Sequence, residues 1–258
     1  MDHRAATIAD RIQNAIEGWA GVEALTLDPR AEISPFDPYF ALVFDVYYRG
    51  SIPSPGARRQ AFGDPGAYET GAGGTKDRFF LDELPIRVEY KEIEALDRLL
   101  DKPLLHIRLL KNAGTYSFYR LSTNAVLKDR SGWIGEAKAK LAAFPQAAWE
   151  ALGDTFRSKM EHYLSDMGAA SFSGDKYFLL LSEAGFLRYA AASIFMANRS
   201  FEPSHRDMEE KLRLLPRQPD GFWQAWDSLL QKGKEISAPR RFEIARMLAS
   251  SIYSLGSD

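Results

Sequence analysis

Carboxylates on neighbouring β-strands are the usual way to hold Mg²⁺ against a nucleotide phosphate, because the sheet keeps them close and the hard cation takes oxygen ligands. Two short runs in this chain carry acids in that manner. The first, Phe36-Asp37-Pro38-Tyr39-Phe40-Ala41-Leu42-Val43-Phe44-Asp45-Val46-Tyr47-Tyr48, is apolar and aromatic, with Asp37 at its mouth and Asp45 near its far end. The second, Pro85-Ile86-Arg87-Val88-Glu89-Tyr90, carries Glu89. Asp37, Asp45 and Glu89 are therefore the candidate Mg²⁺ ligands. Asp37 and Asp45 stand eight residues apart, roughly 26 Å along an extended strand. A bulge or bend could shorten this, yet not to the roughly 4 Å of a two-metal site. The same residues also read as two strands whose acids face water, since acids at strand ends are common on surfaces.

Between the acidic runs, Arg49 to Lys76 holds seven glycines, Gly50 among them, together with Pro53, Pro55 and Pro65. A structureless stretch of that length inside a domain is a functional lid or a disordered segment. Its end, Gly71-Ala72-Gly73-Gly74-Thr75-Lys76-Asp77, invites a phosphate-loop reading but lacks the Gly-Lys-Ser/Thr ending and a strand feeding into it. Lys76 and Arg78 are left as ordinary cations able to meet phosphate. His162 with Asp166, and His205 with Glu209, are four apart on helices; neither pair has a third ligand at metal spacing, so both read as hydrogen-bonding pairs. There is no Gly-x-Ser-x-Gly elbow to place a hydrolase nucleophile.

The elements that must position these residues follow from periodicity. Ile8, Ile12, Ala15, Ile16 and Trp19 give an opening amphipathic helix. Val22 to Leu27 alternates as a strand, followed by the 36–48 run and by Glu83 to Tyr90. A helix is expected over 93–101. Leu104 to Leu110 and Thr115 to Leu121 bracket Lys111-Asn112-Ala113-Gly114, which predicts a hairpin. Beyond about residue 133 the pattern turns helical: Phe156, Met160, Tyr163, Leu164 and Met167 share a face, and Tyr177 to Ala197 is apolar nearly all round, as in a buried central helix. Ser204 is expected to cap a helix bearing Met208, Leu212 and Leu215, which sets Arg206 in its first turn. Phe222, Trp223 and Trp226 form a core face, and Ser237 with Pro239 starts a last helix. The fold class is α+β: a mixed-sheet domain over 1–125 with the long insertion at 50–76, then an all-helical bundle of about five helices over 135–258.

The 258 residues suffice for a real core in each half. Thirty-three Lys plus Arg against 35 Asp plus Glu leave a net charge of −2, so the basic field of a DNA binder is missing. With no cysteine there is no disulfide, thiolate zinc site or cysteine nucleophile. The apolar runs fall short of the roughly 20 residues that cross a bilayer, and Met1-Asp2-His3-Arg4 leads into a polar helix. The expectation is a cytoplasmic protein with no membrane partner.

This order of elements resembles the nucleotidyltransferase superfamily over nearly the whole chain, and more narrowly its small-molecule branch, which includes the aminoglycoside nucleotidyltransferases. Val22 to Leu27 sits where that superfamily has its first strand, Phe36-Asp37-Pro38-Tyr39 where its Ser-Asp-x-Asp segment opens the second, and Ile86 to Glu89 where a later strand presents a third acid. Ala197-Asn198-Arg199 through His205-Arg206 is similar to its Asn-Arg…Pro…Lys stretch, with Arg206 at the lysine. Asp28-Pro29 stands in place of Gly-Ser, and Tyr39 in place of the second Asp. The resemblance implies transfer of a nucleoside monophosphate from an NTP to a small-molecule acceptor. Asp37 and Glu89 would hold Mg²⁺, and Lys76, Arg78, Arg199 and Arg206 would contact the triphosphate. Its alternative is a catalytically inactive member that binds a nucleotide or a partner through the same fold. A structural or interaction protein is a third reading.

Overall fold

Ala5, Ile8, Ala9, Ile12 and Ile16 are buried along one stripe of α1 (His3–Glu17), as their three-and-four spacing requires. The structure is a computed structural model describing residues 3–28, 40–231 and 236–255. It divides into two units, Met1–Lys102 with Arg120–Ala143, and Pro103–Tyr119 with Phe144–Asp258. The expected boundary near 125–135 thus becomes an exchange of segments, with the crossing inside a helix.

In the first unit α1 packs on a sheet whose strand order is β3-β4-β5-β2-β1-β6. These strands are β1 (Val22–Leu27), β2 (Leu42–Tyr48), β3 (Gly66–Thr70), β4 (Lys76–Leu81), β5 (Leu84–Glu92) and β6 (Ala125–Asp129). Strands β2 and β5 run parallel, and the other neighbours are antiparallel. Leu25, Leu27, Leu42, Phe44, Val46, Phe79, Leu81, Ile86, Val88 and Tyr90 share the α1 core. Because side chains alternate along a strand, Thr26, Asp45, Tyr47, Arg87, Glu89, Lys91, Lys76 and Arg78 take the opposite face.

The segment 50–76 is not a structureless lid. Ser54 caps α2 (Pro55–Ala61), accepting from Ala57 N, with Pro55 in the first turn where its missing N–H costs nothing. β3 and a 3₁₀ turn at Ala72–Gly74 follow. Arg58, only 2% exposed, ties the segment down. Its Nε and Nη2 donate to the two Asp77 oxygens at 2.8 and 3.0 Å, and Nη1 and Nη2 also reach Pro53 O and Gly74 O. Tyr90 and Thr70 hydroxyls donate to the same carboxylate. A bidentate buried pair with further donors defines one geometry, which glycine content alone cannot reveal.

The expected hairpin over 104–121 is helical instead. α3 (Ile93–Asp101) is followed by α4 (Ile107–Ala113) and α5 (Tyr116–Thr123). Gly114, with φ +77°, ends α4 by donating its N–H to Leu110 O, so the glycine serves as a helix stop rather than a hairpin turn. After β6, α6 (Trp133–Ala142) completes the first unit, its Trp133 ring 5.1 Å from Tyr47.

In the second unit α7 (Gln146–Ser173) packs against α8 (Lys176–Ala197). Gly185 lets the helices approach: a Cβ there would lie 2.4 Å from the Tyr163 ring. α8 is long and apolar enough by composition to cross a membrane, which the run-length reading missed. Half of that window is buried, so it serves as the central helix expected from its all-round apolarity. α9 (Met208–Arg213), α10 (Phe222–Leu230) and α11 (Ala238–Leu255) complete the bundle, with Phe222 and Trp226 in its core.

Candidate functional site

The strand register assembles one polar row across the sheet face away from α1. Glu89 on β5 is paired with Asp45 on β2 and with Lys76 on β4, and Asp45 is paired with Thr26 on β1. Lys91, two residues beyond Glu89, returns to the same face. From the end of α5 come Arg120 and Asn124, one helical turn apart and so on one side of it.

Arg120 bridges the two acids. Its Nη1 donates to Glu89 Oε2 at 2.9 Å, and its Nη2 lies 2.8 Å from Asp45 Oδ1. Lys91 Nζ is 2.9 Å from the same Asp45 oxygen, Asn124 Nδ2 donates to Asp45 Oδ2 at 3.1 Å, and Lys76 Nζ is 2.9 Å from Glu89 Oε1. The two cation contacts at Asp45 Oδ1 are ion pairs without the alignment of a hydrogen bond. Asp45 is fully buried and the Arg120 side chain 3% exposed. Burial pushes the Asp45 carboxyl above its ordinary value against the pull of Lys91 and Arg120, and burial likewise lowers Lys91 despite Asp45. Burial also raises Glu89, but Arg120 and the Lys76 hydrogen bond outweigh it and leave the carboxyl below its ordinary range. Burial, then the nearby Asp45 charge, holds the Tyr47 hydroxyl well above its usual value.

A second row lies alongside. Arg78 on β4 is in register with Arg87 on β5, a like-charged cross-strand pair of the kind that destabilises a sheet when nothing lies between. Arg87 is half-buried, and its Nε has no hydrogen-bond partner.

Mg²⁺ requires oxygen ligands at about 2.0–2.1 Å in near-octahedral geometry. The described residues do not fit it. Both acids already face fixed cations, and the cluster of Asp45, Glu89, Lys76, Lys91 and Arg120 carries more positive than negative charge. Among the described residues no group of three His, Asp or Glu side chains could hold a metal ion. Asp37, the expected partner acid, lies outside the described residues, as does Tyr39.

Of the other expected contacts, Lys76 is engaged by Glu89 and Arg78 stands exposed beside Arg87. Arg199 and Arg206 lie in the second unit. Arg199 follows α8 with φ +50°. Ser204 does not cap the next helix: its hydroxyl donates to Asp207 Oδ2, Asp207 is the N-cap residue, and Arg206 sits in the turn before α9. An exposed His162 and a half-buried Asp166 form a pair, 3.5 Å apart, as their spacing implied. Sequence reasoning missed Lys91, Arg120 and Asn124. Alternation from Glu89 could have found Lys91. Arg120 was hidden by reading Thr115 to Leu121 as a strand, and Asn124 follows the end of that helix, where no element was expected.

No protein-family model matches this chain, and no curated protein does. Among solved structures, a nucleotidyltransferase-like protein from Exiguobacterium sibiricum 255-15 resembles it at 14% identity, covering 97% of this chain and 76% of that one, with a TM-score of 0.53. Identity that low speaks to the fold: a mixed sheet followed by a helical region, as in a nucleotidyltransferase-like protein.

Proposed function

We propose that this chain is a nucleotidyltransferase-fold protein that binds a nucleotide phosphate through fixed protein cations and does not transfer it. The supporting observation is Arg120, whose guanidinium bridges Asp45 and Glu89 on neighbouring parallel strands. A permanently charged guanidinium between two carboxylates in a buried site is not displaced cheaply, since removing it strands a buried carboxylate. Outside the bridge, Arg78 and Arg87 stand side by side, next to a Lys76 held by Glu89, and the two arginines would receive the phosphate. An active transferase, moving a nucleoside monophosphate to a small acceptor with Mg²⁺, is the second reading. It is favoured by the direct register of Asp45 with Glu89 on parallel neighbouring strands, and it needs Asp37 as a further ligand.

The test is calorimetric titration of the four NTPs with Mg²⁺ and with a chelator, beside an assay for pyrophosphate release over a panel of hydroxylated acceptors. The proposal expects similar NTP affinity in both conditions, no pyrophosphate, and about tenfold weaker binding, ~1.4 kcal/mol, for Arg87→Ala. Mg²⁺-dependent pyrophosphate release that disappears in Asp37→Asn would replace it with the transferase reading.

A further inference from the structure

α8 is unevenly buried. Every residue from Ala190 to Met196 lies in the bundle core. Its first half instead exposes Tyr177 by 72%, Leu180 by 65% and Leu181 by 49%, and Phe172, near the end of α7, is 97% exposed. Helical periodicity puts Tyr177, Leu180, Leu181, Ala184 and Arg188 on one stripe about 100° wide. The four large side chains expose roughly 600 Å² of apolar surface, a size that marks an interaction site rather than scattered surface apolarity. The exposure is not fraying, because the turn between the helices is well closed. Gly174 ends α7 in the left-handed region, and Asp175 caps α8 by accepting from Phe178 N at 2.9 Å.

We propose that this stripe joins two copies of the chain, with α8 crossing its counterpart antiparallel about a twofold axis at Leu180 and Leu181. The stripe is self-complementary about that point. In an antiparallel pair, positions equally distant from the axis face each other. Leu180 then meets Leu181 of the second copy, and the large Tyr177 meets the small Ala184 of the second copy. Arg188, exposed on its own copy, falls opposite Ser173 of the second copy. That sets it within one turn of the other Asp175 and at the carbonyl end of the other α7, where a cation is favoured. Each contact occurs twice, as an isologous interface requires. Two copies joined over α8, with Phe172 at the rim, remove about 1,200 Å² from water, the lower end of a specific interface. The charges also choose between partners. Asp175 stands beside Lys176 at the tip, and such mixed signs suit a copy of the same surface, whereas an anionic membrane calls for bases alone. No residue of the sheet face takes part, so the inference goes beyond the nucleotide reading and stands or falls separately.

The experiment is sedimentation equilibrium of the full chain, from low-micromolar to submillimolar concentration, on wild type, Leu180→Glu, Leu180→Lys and Phe80→Glu. Phe80, on β4 and 49% exposed, is an apolar control outside the stripe. Flotation with phosphatidylserine–phosphatidylcholine vesicles runs beside it. Leu180 faces solvent, so its variants should keep the circular dichroism of wild type. Wild type and Phe80→Glu are expected to dimerise with the same dissociation constant. Each Leu180 variant should weaken the dimer at least about tenfold, because like charges meet at the axis. An equimolar mixture of Leu180→Glu and Leu180→Lys should restore the dimer, because opposite charges then meet there. A wild type that stays monomeric throughout overturns the inference, and so does a Leu180→Glu variant that dimerises as wild type does. A mixture no tighter than either variant alone refutes the crossing at Leu180 and Leu181. A monomeric wild type that floats with vesicles, where Leu180→Glu does not, assigns the stripe to a lipid surface and overturns the dimer.

Discussion

Replacing Arg120 with methionine keeps an unbranched apolar stem and removes the guanidinium that joins Asp45 to Glu89. Asp45 is fully buried and Glu89 mostly so, and both would lose a partner under 3 Å away. Breaking one side of a buried ion pair costs about 3–5 kcal/mol, because the other charge is left desolvated. Lys91 and Asn124 still face Asp45, and Lys76 still faces Glu89, which argues for the low end. We expect about 3 kcal/mol, or roughly 6–12 °C in the thermal transition of the unit containing the sheet. The assay is urea and thermal denaturation by circular dichroism, with two transitions fitted where two units melt separately. A second variant isolates the cause: Asp45→Asn in the Arg120→Met background removes the stranded charge and should recover a large part of the loss. An Arg120→Met variant within about 0.5 kcal/mol of wild type would refute a buried bridge, since only surface pairs are that weak. A double variant whose loss is the plain sum of the single losses would refute the coupling.

Arg58→Met should cost about 3–5 kcal/mol for the same reason, as it abandons the buried Asp77, and limited proteolysis should then open 50–76, which wild type protects. Gly185→Ala, although favourable for an isolated helix, drives a methyl into the Tyr163 ring and should destabilise the α7–α8 pair by about 1–3 kcal/mol or more, read by denaturation of the second unit. Asp77 and Glu89 have folded-state pKa values below their ordinary 3.8 and 4.5, so the unfolded chain binds protons more readily. Their contribution is complete above those values and is lost as pH falls through the folded ones, so the unit containing the sheet should weaken in acid below about pH 4.5. Glu202 behaves oppositely. Burial raises its carboxyl despite hydrogen bonds from the Thr115 backbone and hydroxyl, so the folded state holds the proton more tightly. Glu202→Gln should match or exceed wild-type stability at neutral pH, by about 1 kcal/mol or less, with the difference shrinking as pH falls below 4.5; a clear loss at pH 7 would contradict this.

The sequence alone was sufficient where a local period was sustained and had one reading. The three-and-four spacing of Ile8, Ile12 and Ile16, the alternation of Val22–Leu27 and the apolar circumference of Tyr177–Ala197 each specify an element, because local periodicity is what decides which face is buried. The same spacing placed acids on two strands and anticipated that Glu89 would lie on a sheet, and the coarse order of a mixed sheet followed by helices was legible. Local pattern misled where one residue type serves two purposes. Gly114 ends a helix as readily as it turns a hairpin, and the glycines of 50–76 fit a folded segment as well as a loop. What the acids do was decided only in three dimensions. Asn124 meets Asp45 across 79 residues of chain and Arg58 meets Asp77 across 19, and Arg120 reaches two strands at once. A carboxylate looks the same in sequence whether it awaits a metal or is already neutralised. Its charge balance depends on which cations the fold carries to within 3 Å, since in a buried site only groups at that distance can replace the water it has lost.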